Sequence, residues 1–417
     1  MLTIYNIIIY IYRFLIRVAS PFNLKARQWL NGRKGIWARL DEISKKDGNC
    51  IWVHCSSLGE FEQGRPVIEN LRESYPGYKI LITFFSPSGY EVRKNFTKAD
   101  YVDYLPLDTR RNAEKFLDLV KPSMALFIKY EFWYHYLNQL SRKSIPHFLI
   151  SANFRSGQVF FKWYGSWYRK MLQGFTGIFV QNEKSGDLLQ AIGITSMQVT
   201  GDTRFDRVKA ISLRSKEIPL AYSFGKEKFV LVAGSTWDKD EQLLVELFRK
   251  SPFPVKLIIA PHEINRLHLD KLRSQFIGSA LFYSEALPGN VEEARILIID
   301  NVGMLSSLYK YGKVAYIGGG FGKGIHNILE AATCHIPVLF GPNYSKFEEA
   351  NELVARGGAF AVSSVTDLEL LVNRFIREPE YLQSAGAIAG SYVEENTGAT
   401  GKVLGILGKQ LTGELVT

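Results

Sequence analysis

The chain is poor in cysteine: its 417 residues contain three, Cys50, Cys55 and Cys334. The number is odd and none has metal-ligand spacing, which excludes a disulfide framework and a zinc site and fits a reducing compartment. Internal repeats and low-complexity tracts are absent. So are a zinc finger, an RNP pattern and an Arg-rich arm, which argues against nucleic acid as a partner. What is present is globular in kind, with 46% hydrophobic and 22% charged residues. At this length two domains are expected.

The net charge of +10 is unevenly spread. Residues 1–50 hold nine basic side chains (Arg13, Arg17, Lys25, Arg27, Arg33, Lys34, Arg39, Lys45, Lys46) against three acids, Asp41, Glu42 and Asp47. They adjoin an apolar stretch, residues 1–19, whose uninterrupted part runs from Met1 to Tyr12. A basic cluster beside an apolar segment points to an anionic membrane surface. No small-residue cleavage site follows, so the expectation is an uncleaved anchor with the body of the protein on the cytoplasmic side. A plain N-terminal helix packed on the domain stays open as the alternative.

Beyond it, short β-rich runs alternate with helical stretches. In the first half the runs are 51–55, 79–85, 101–105, 124–130, 147–151, 177–181 and 197–201. In the second they are 229–233, 255–261, 295–299, 314–317, 337–340 and 359–362. Two successive sets predict an α/β chain with two doubly wound parallel sheets. The stretch 205–228 has no strong strand and places the junction.

Ligands of open α/β sheets sit at the carboxyl ends of strands, so residues there are the candidates. In IWVHCSSLGEFEQGRP (51–66) a strand breaks into a turn and Glu60 opens a helix, where the helix dipole favours an ionised carboxylate suited to a general base. An ordinary first-turn acid reads the same way. Glu131 lies among aromatics directly after the strand ending near Tyr130. Arg204, in TGDTRFD, carries a cation for charge on a leaving phosphate. In the second half, Gly234, Ser235 and Thr236 close a strand and offer donors to a phosphate, or serve as a plain N-cap. Pro261 and His262 end another strand. A glycine-rich loop runs from Gly318 to Gly324, with a helix expected to open near His326 and Asn327 and Glu330 one turn in; glycines there admit close approach of a phosphate. The loop lacks the ending of a P-loop.

Together, SSLGE at 56–60, YEFW at 130–133, GDTRFD at 201–206, AGST at 233–236 and the GGGFGKGIHNILE and FGPNYSKF run of 318–347 resemble, in order and spacing, the Kdo (3-deoxy-D-manno-octulosonic acid) transferases of lipopolysaccharide synthesis, glycosyltransferase family 30. The resemblance extends over nearly the whole chain. It implies a GT-B fold: an anchor helix at 1–20, a Rossmann-like acceptor domain at 21–205, a linker at 206–227, and a Rossmann-like CMP-Kdo domain at 228–417 whose last helix can pack back on the first, the two facing a central cleft. It implies an inverting transfer of Kdo from CMP-Kdo to a lipid A precursor (lipid IVA) at the cytoplasmic face of the inner membrane.

The family's base falls on Glu60 and its second carboxylate on Glu131. Its G-N-x-K cation falls on Arg204, where this chain has Arg for Lys and Asp202 for Asn. Its P-R-H contacts fall on Pro261, His262 and Glu263, with His262 in place of Arg. The remaining nucleotide contacts fall on Gly303, Met304 and Leu305, and on Gly324, His326, Asn327, Ile328, Leu329 and Glu330. No metal and no cofactor beyond the donor is expected, because backbone dipoles and a cation can carry the leaving CMP. Two alternatives stay open: another GT-B sugar-nucleotide transferase or epimerase, and a non-catalytic membrane-anchored lipid-binding scaffold.

Overall fold

The computed structural model describes residues 1–46, 48–250, 254–276 and 280–414. Its strands form two seven-stranded parallel sheets. The first has β1 (Cys50–Cys55), β2 (Lys79–Phe84), β3 (Tyr101–Tyr104), β4 (Pro122–Ile128), β5 (His147–Ala152), β6 (Gly177–Val180) and β7 (Met197–Val199) in the order β3-β2-β1-β4-β5-β6-β7. The second has β8 (Phe229–Thr236), β9 (Val255–Pro261), β10 (Ala280–Phe282), β11 (Ile296–Ile298), β12 (Val314–Ile317), β13 (Val338–Phe340) and β14 (Ala359–Ala361) in the order β10-β11-β9-β8-β12-β13-β14. Every strand expected from the sequence is present. Only β10 is new, a three-residue edge strand too short to carry a pattern.

Continuous apolar runs make these strands because both sheet faces are covered. In β1 alternation sends Trp52 into a core with Leu81, Phe116, Phe127 and Tyr136. Ile51, Val53 and Cys55 enter the opposite core with Ile82, Leu126, Ile128 and Phe148. His54 falls on the Trp52 side at 0% exposure, so a polar ring stands in a buried strand.

The chain groups into two compact units, Met1–Arg207 with Thr397–Thr417, and Val208–Asn396. The second unit thus begins at Val208 and not at 228, while the last helix joins the first unit as the resemblance allowed; residues 415–417 of the expected 228–417 domain lie outside the described residues. The 206–227 stretch, expected as a linker, is largely helical, in Thr203–Leu213 and Pro219–Gly225. The last helix, Ala399–Thr412, drives Val403 and Leu407 into the core beneath β1. Its start is tied down by Asp206, whose carboxylate accepts the N–H groups of Gly398 at 2.6 Å and Thr400 at 2.7 Å. Asp206, singled out only as part of TGDTRFD, therefore caps a helix nearly two hundred residues away.

The N-terminal helix, Leu2–Ala19, is long and apolar enough to cross a membrane by length and composition. One side of it is seated on the first unit. Ile9 is buried, the Tyr5 hydroxyl donates to the Asp108 carboxyl, Asn6 Oδ1 meets His135 Nε2 at 2.7 Å, and the Tyr12 ring stacks on Phe85. Its other faces expose Ile4, Ile7, Ile8, Ile11, Phe14 and Leu15. Asp108 is fully buried, which pushes its carboxyl up to about 6 against the opposing hydrogen bonds from Tyr5 and the N–H groups of His135 and Tyr136.

Two outcomes follow from these anchors. Asp206→Ala, leaving two N–H groups at the head of the last helix without their acceptor, is expected to destabilise the first unit by about 1–2 kcal/mol. A lowered denaturant midpoint of the first unit checks it. Asp108 binds its proton more tightly folded than unfolded, so its contribution to stability is full below pH ~4 and is lost as pH rises through about 6. That loss is roughly 3 kcal/mol. Asp108→Asn should flatten the stability profile between pH ~4 and ~6.5 in chemical denaturation.

Candidate active site

Each sheet reverses strand order once near its middle, between β1 and β4 in the first and between β8 and β12 in the second. Side chains that follow those four strands stand where open α/β sheets bind ligands. The candidates gather there in each unit.

In the first unit Ser57 caps the helix Leu58–Ser74 and Glu60 is its third residue. Glu60 Oε2 accepts the Ser57 N–H at 2.7 Å and the Ser57 hydroxyl as well. The first-turn acid of the bland reading is thus real: Glu60 closes a capping box. The same bond pins one carboxylate oxygen, and Oε1 has no hydrogen-bond partner among the described residues, so capping and a base's role are compatible.

Glu131 follows β4 through Lys129, which has left-handed backbone (φ 70°) and turns the chain back over β1. The carboxylate is 6% exposed. Its Oε2 lies 3.2 Å from His54 Nε2 and accepts the Trp133 indole N–H at 2.7 Å. His54 Nδ1 in turn lies 2.9 Å from the Thr83 hydroxyl, which accepts the Trp52 N–H at 2.8 Å. Burial pushes the Cys55 thiol well above its ordinary range, and Glu60 and Glu131 push it the same way, which leaves Cys55 an inert core residue between the two carboxylates.

Arg204 opens the helix Thr203–Leu213 beside the helix of Glu60, since the Thr203 hydroxyl donates to the Gln63 carbonyl at 2.6 Å. Its guanidinium donates through Nε to Asp202 Oδ2 at 2.8 Å. The acid at 202 therefore already offsets part of the charge that Arg204 would offer a ligand. In this unit Glu60, Glu131 and Arg204 all stand at the carboxyl edge of one sheet.

The second unit holds a cavity of about 480 Å³ lined by Trp237, Lys239, Gly319, Phe321, Lys323, Gly324 and His326, among others. Asp240 ties its two walls together. This buried carboxylate accepts the N–H of Trp237 at 3.0 Å on one wall and the N–H of Gly319 at 2.9 Å on the other, with the Tyr316 hydroxyl at 2.8 Å. Gly319 has φ +93° and a Cβ there would meet the Gly324 carbonyl, so this turn requires glycine. Trp237, His262 and His326 form a stack, His262 lying 4.5 Å from Trp237 and 4.6 Å from His326 by ring centroids. The Trp237 indole N–H donates to His326 Nε2 at 2.9 Å, so that nitrogen is an acceptor. Burial lowers the His326 imidazole below its ordinary range, and His262 adds to the effect.

Several candidates serve other ends. The Thr236 hydroxyl turns inward to Glu241 Oε1 at 3.1 Å. Gly234 has no room for a side chain because the Tyr309 hydroxyl and Leu305 cross it. Ile328 and Leu329 are core residues, 1% and 0% exposed, so only their backbone can face a ligand. The helix expected to open at His326 starts at Leu329 and is four residues long. The delay has a local cause: the His326 N–H goes to the Gly318 carbonyl and the Asn327 side chain accepts the Leu329 N–H at 3.2 Å. Asn327 also reaches Glu330 at 3.1 Å. Pro261 is buried at the end of β9, and Gly303, Met304 and Leu305 lead into Leu305–Leu308 without lining the cavity.

His54, Trp133, Trp237 and Asp240 were not reached as site residues from the sequence. The available signal was polarity in the wrong place: a histidine inside the apolar run IWVHC, and an Asp-x-Asp at 238–240 in a first helical turn. The latter is no metal motif here, because Asp240 is spent on the two loops. Asp238, Glu241 and His268 are close enough to hold an ion, but His268 engages Glu241 through Nε2 at 3.0 Å and faces Asp238 through Nδ1 at 3.8 Å, an ion-pair cluster with Lys271 alongside.

The chain is similar to known proteins in sequence and in fold. Residues 30–207 match the family profile described as 3-deoxy-D-manno-octulosonic-acid transferase (kdotransferase). The chain is 28% identical over 366 residues to a 3-deoxy-D-manno-octulosonic acid transferase of Aquifex aeolicus, covering 85% of this chain and 94% of that one. It is 26% identical over 409 residues to that of Haemophilus influenzae, covering 94% and 93%. In fold it is similar to a UDP-GlcNAc 2-epimerase of Neisseria meningitidis, with a TM-score of 0.61 at 19% identity over 86% of this chain and 100% of that one. The profile in the first unit, with relatives of the same description that run through both units, makes this chain similar to the 3-deoxy-D-manno-octulosonic acid transferases, in a fold of the GT-B kind.

Proposed function

We propose that the protein transfers Kdo from CMP-Kdo to a hydroxyl of a lipid A precursor in lipopolysaccharide synthesis. The observation that carries this reading is the pair of carboxylates at the reversal of the first sheet, Glu60 with one oxygen pinned and one open, and Glu131 buried behind it. Glu60 takes the proton of the acceptor hydroxyl. The hydroxyl oxygen bonds to the anomeric carbon of Kdo as that carbon's bond to the CMP phosphate oxygen breaks, and attack opposite the leaving group inverts the centre. The electron pair leaves on the phosphate, where Arg204 offsets the charge. Glu131 stabilises the positive charge that develops on the sugar ring.

The second unit takes the donor's nucleotide. Trp237 offers a stacking face, while Lys323 and the loop N–H groups suit a phosphate. No metal is called for, since the departing charge is dispersed over a cation and backbone dipoles. The acceptor is a lipid, and the first unit's surface suits an anionic bilayer: the open faces of Leu2–Ala19 carry Arg13 and Arg17. Trp163 (89% exposed) and Tyr164 stand near Lys162 and Lys170 in a segment whose Trp167 packs 5.7 Å from Tyr5. That surface supports a place on the cytoplasmic face of the inner membrane.

CMP release from CMP-Kdo, with a tetraacylated lipid A precursor as acceptor, tests the reading. Glu60→Gln should lose at least 100-fold in kcat while still binding CMP, and wild type should keep full turnover in EDTA. Wild type that binds the precursor yet releases no CMP would put the non-catalytic scaffold in its place. Trp237→Ala should weaken CMP binding about tenfold or more, the worth of one stacked base; unchanged affinity in calorimetry would remove the nucleotide from this cavity.

A further inference from the structure

His54 is the one histidine of the first sheet's reversal and the transfer chemistry above leaves it without a task. It is fully buried and sits one residue before the end of β1. Its partners are Thr83 on β2 and, 77 and 79 residues along the chain, Glu131 and Trp133 after β4. His54 Nε2 lies 3.2 Å from Glu131 Oε2, which only accepts, and 2.9 Å from the Trp133 indole N–H, which only donates, so the tautomer decides which of the two it meets; the Trp133 N–H has a nearer acceptor in Glu131. With hydrogen on Nε2, Nδ1 accepts the Thr83 hydroxyl, whose oxygen accepts the Trp52 N–H; with hydrogen on Nδ1 that nitrogen would donate to the Thr83 carbonyl at 3.1 Å and the Thr83 hydroxyl would have no acceptor among the described residues. The Trp133 N–H supplies Glu131 with a second donor at 2.7 Å. This arrangement satisfies the linked side chains in a single direction, from Trp52 through Thr83 and His54 to Glu131.

We propose that His54 is a positioning residue for the transfer reaction: by donating from Nε2 to Glu131 it fixes where that carboxylate points and keeps it an acceptor. Two strands and a turn meet in it, β2 through Thr83, β1 through its own backbone, and the turn after β4 through Glu131. The rotamer of Glu131 is thereby set by the rigid part of the sheet and not by the loop that carries it. The inference rests on the transferase reading, with Glu131 beside the reacting sugar.

Two substitutions separate positioning from mere filling. The amide nitrogen of glutamine stands where Nε2 stands and can reach Glu131. That of asparagine stands where Nδ1 stands and can reach only Thr83. His54→Asn is expected to lower kcat about 10- to 100-fold with KM for CMP-Kdo within about threefold, and His54→Gln to recover most of the loss. Thermal unfolding of both variants reports folding. Nitrogen-15 spectra of histidine-labelled wild type, with the His54 signal identified by its loss in His54→Gln, are expected to show hydrogen on Nε2. A bare Nε2 overturns the proposal whatever the kinetics, and so do equal rates for the asparagine and glutamine variants in an enzyme that turns over. Wild type without any turnover is a different result: it removes the transferase reading and the positioning role with it.

Discussion

A parallel sheet opens where its strand order reverses, and the polar groups that close the opening must satisfy one another where water does not reach. The first sheet solves this with a line of hydrogen bonds from Trp52 through Thr83 and His54 to Glu131, each member on a different strand or turn except the first and third. Removing one partner would leave buried donors and acceptors unmatched, which costs more than the bond itself contributes. The line therefore constrains the register of β1 against β2 as well as the turn after β4. Glu60, at the head of the adjoining helix, inherits a stable platform and needs only Ser57 to hold it.

The second sheet meets the same constraint with one residue. Asp240 collects N–H groups from the Trp237 loop and the glycine-rich loop, so one carboxylate joins the two walls of the cavity. The stack of Trp237, His262 and His326 lies across their rims. At His262, where the resemblance implied an arginine, the contact the ring makes within the protein is stacking. Asp202 beside Arg204 is a comparable departure: an acid next to the cation moderates a charge that Arg, unlike Lys, keeps at any working pH.

The N-terminal helix joins apolar exposure to firm seating. Tyr5, Asn6 and Tyr12 hold one side of it on the domain, while its open faces carry isoleucine, phenylalanine and leucine. A helix seated in this way orients the first unit's surface with it, and the exposed Trp163 lies in a segment packed against the same helix. Its attachment through a buried acid, Asp108, makes that seating sensitive to pH in a range near 6.

Strand positions, the α/β class, the carboxyl-edge location of Glu60, Glu131, Arg204 and the glycine-rich loop were legible in the chain itself, because apolar runs, glycines and first-turn acids are local signals that each element bears within its own few residues. The family resemblance rested on the same local stretches. Tertiary structure alone decided which of those residues meet. His54 reads as an interruption of an apolar run until Thr83 and Glu131 arrive from 29 and 77 residues away. Asp240 looks like an exposed helix-start acid until Gly319 reaches it, 79 residues on. The last helix was free by the resemblance to pack back on the first unit, but the bond that ties it there joins Asp206 and Gly398, 192 residues apart. Thr236, a plausible phosphate donor by position, was turned inward by Glu241. Periodicity and propensity act over a turn or a strand. A hydrogen bond between distant segments has no sequence pattern, because its two ends are brought together only by the packing of everything between them.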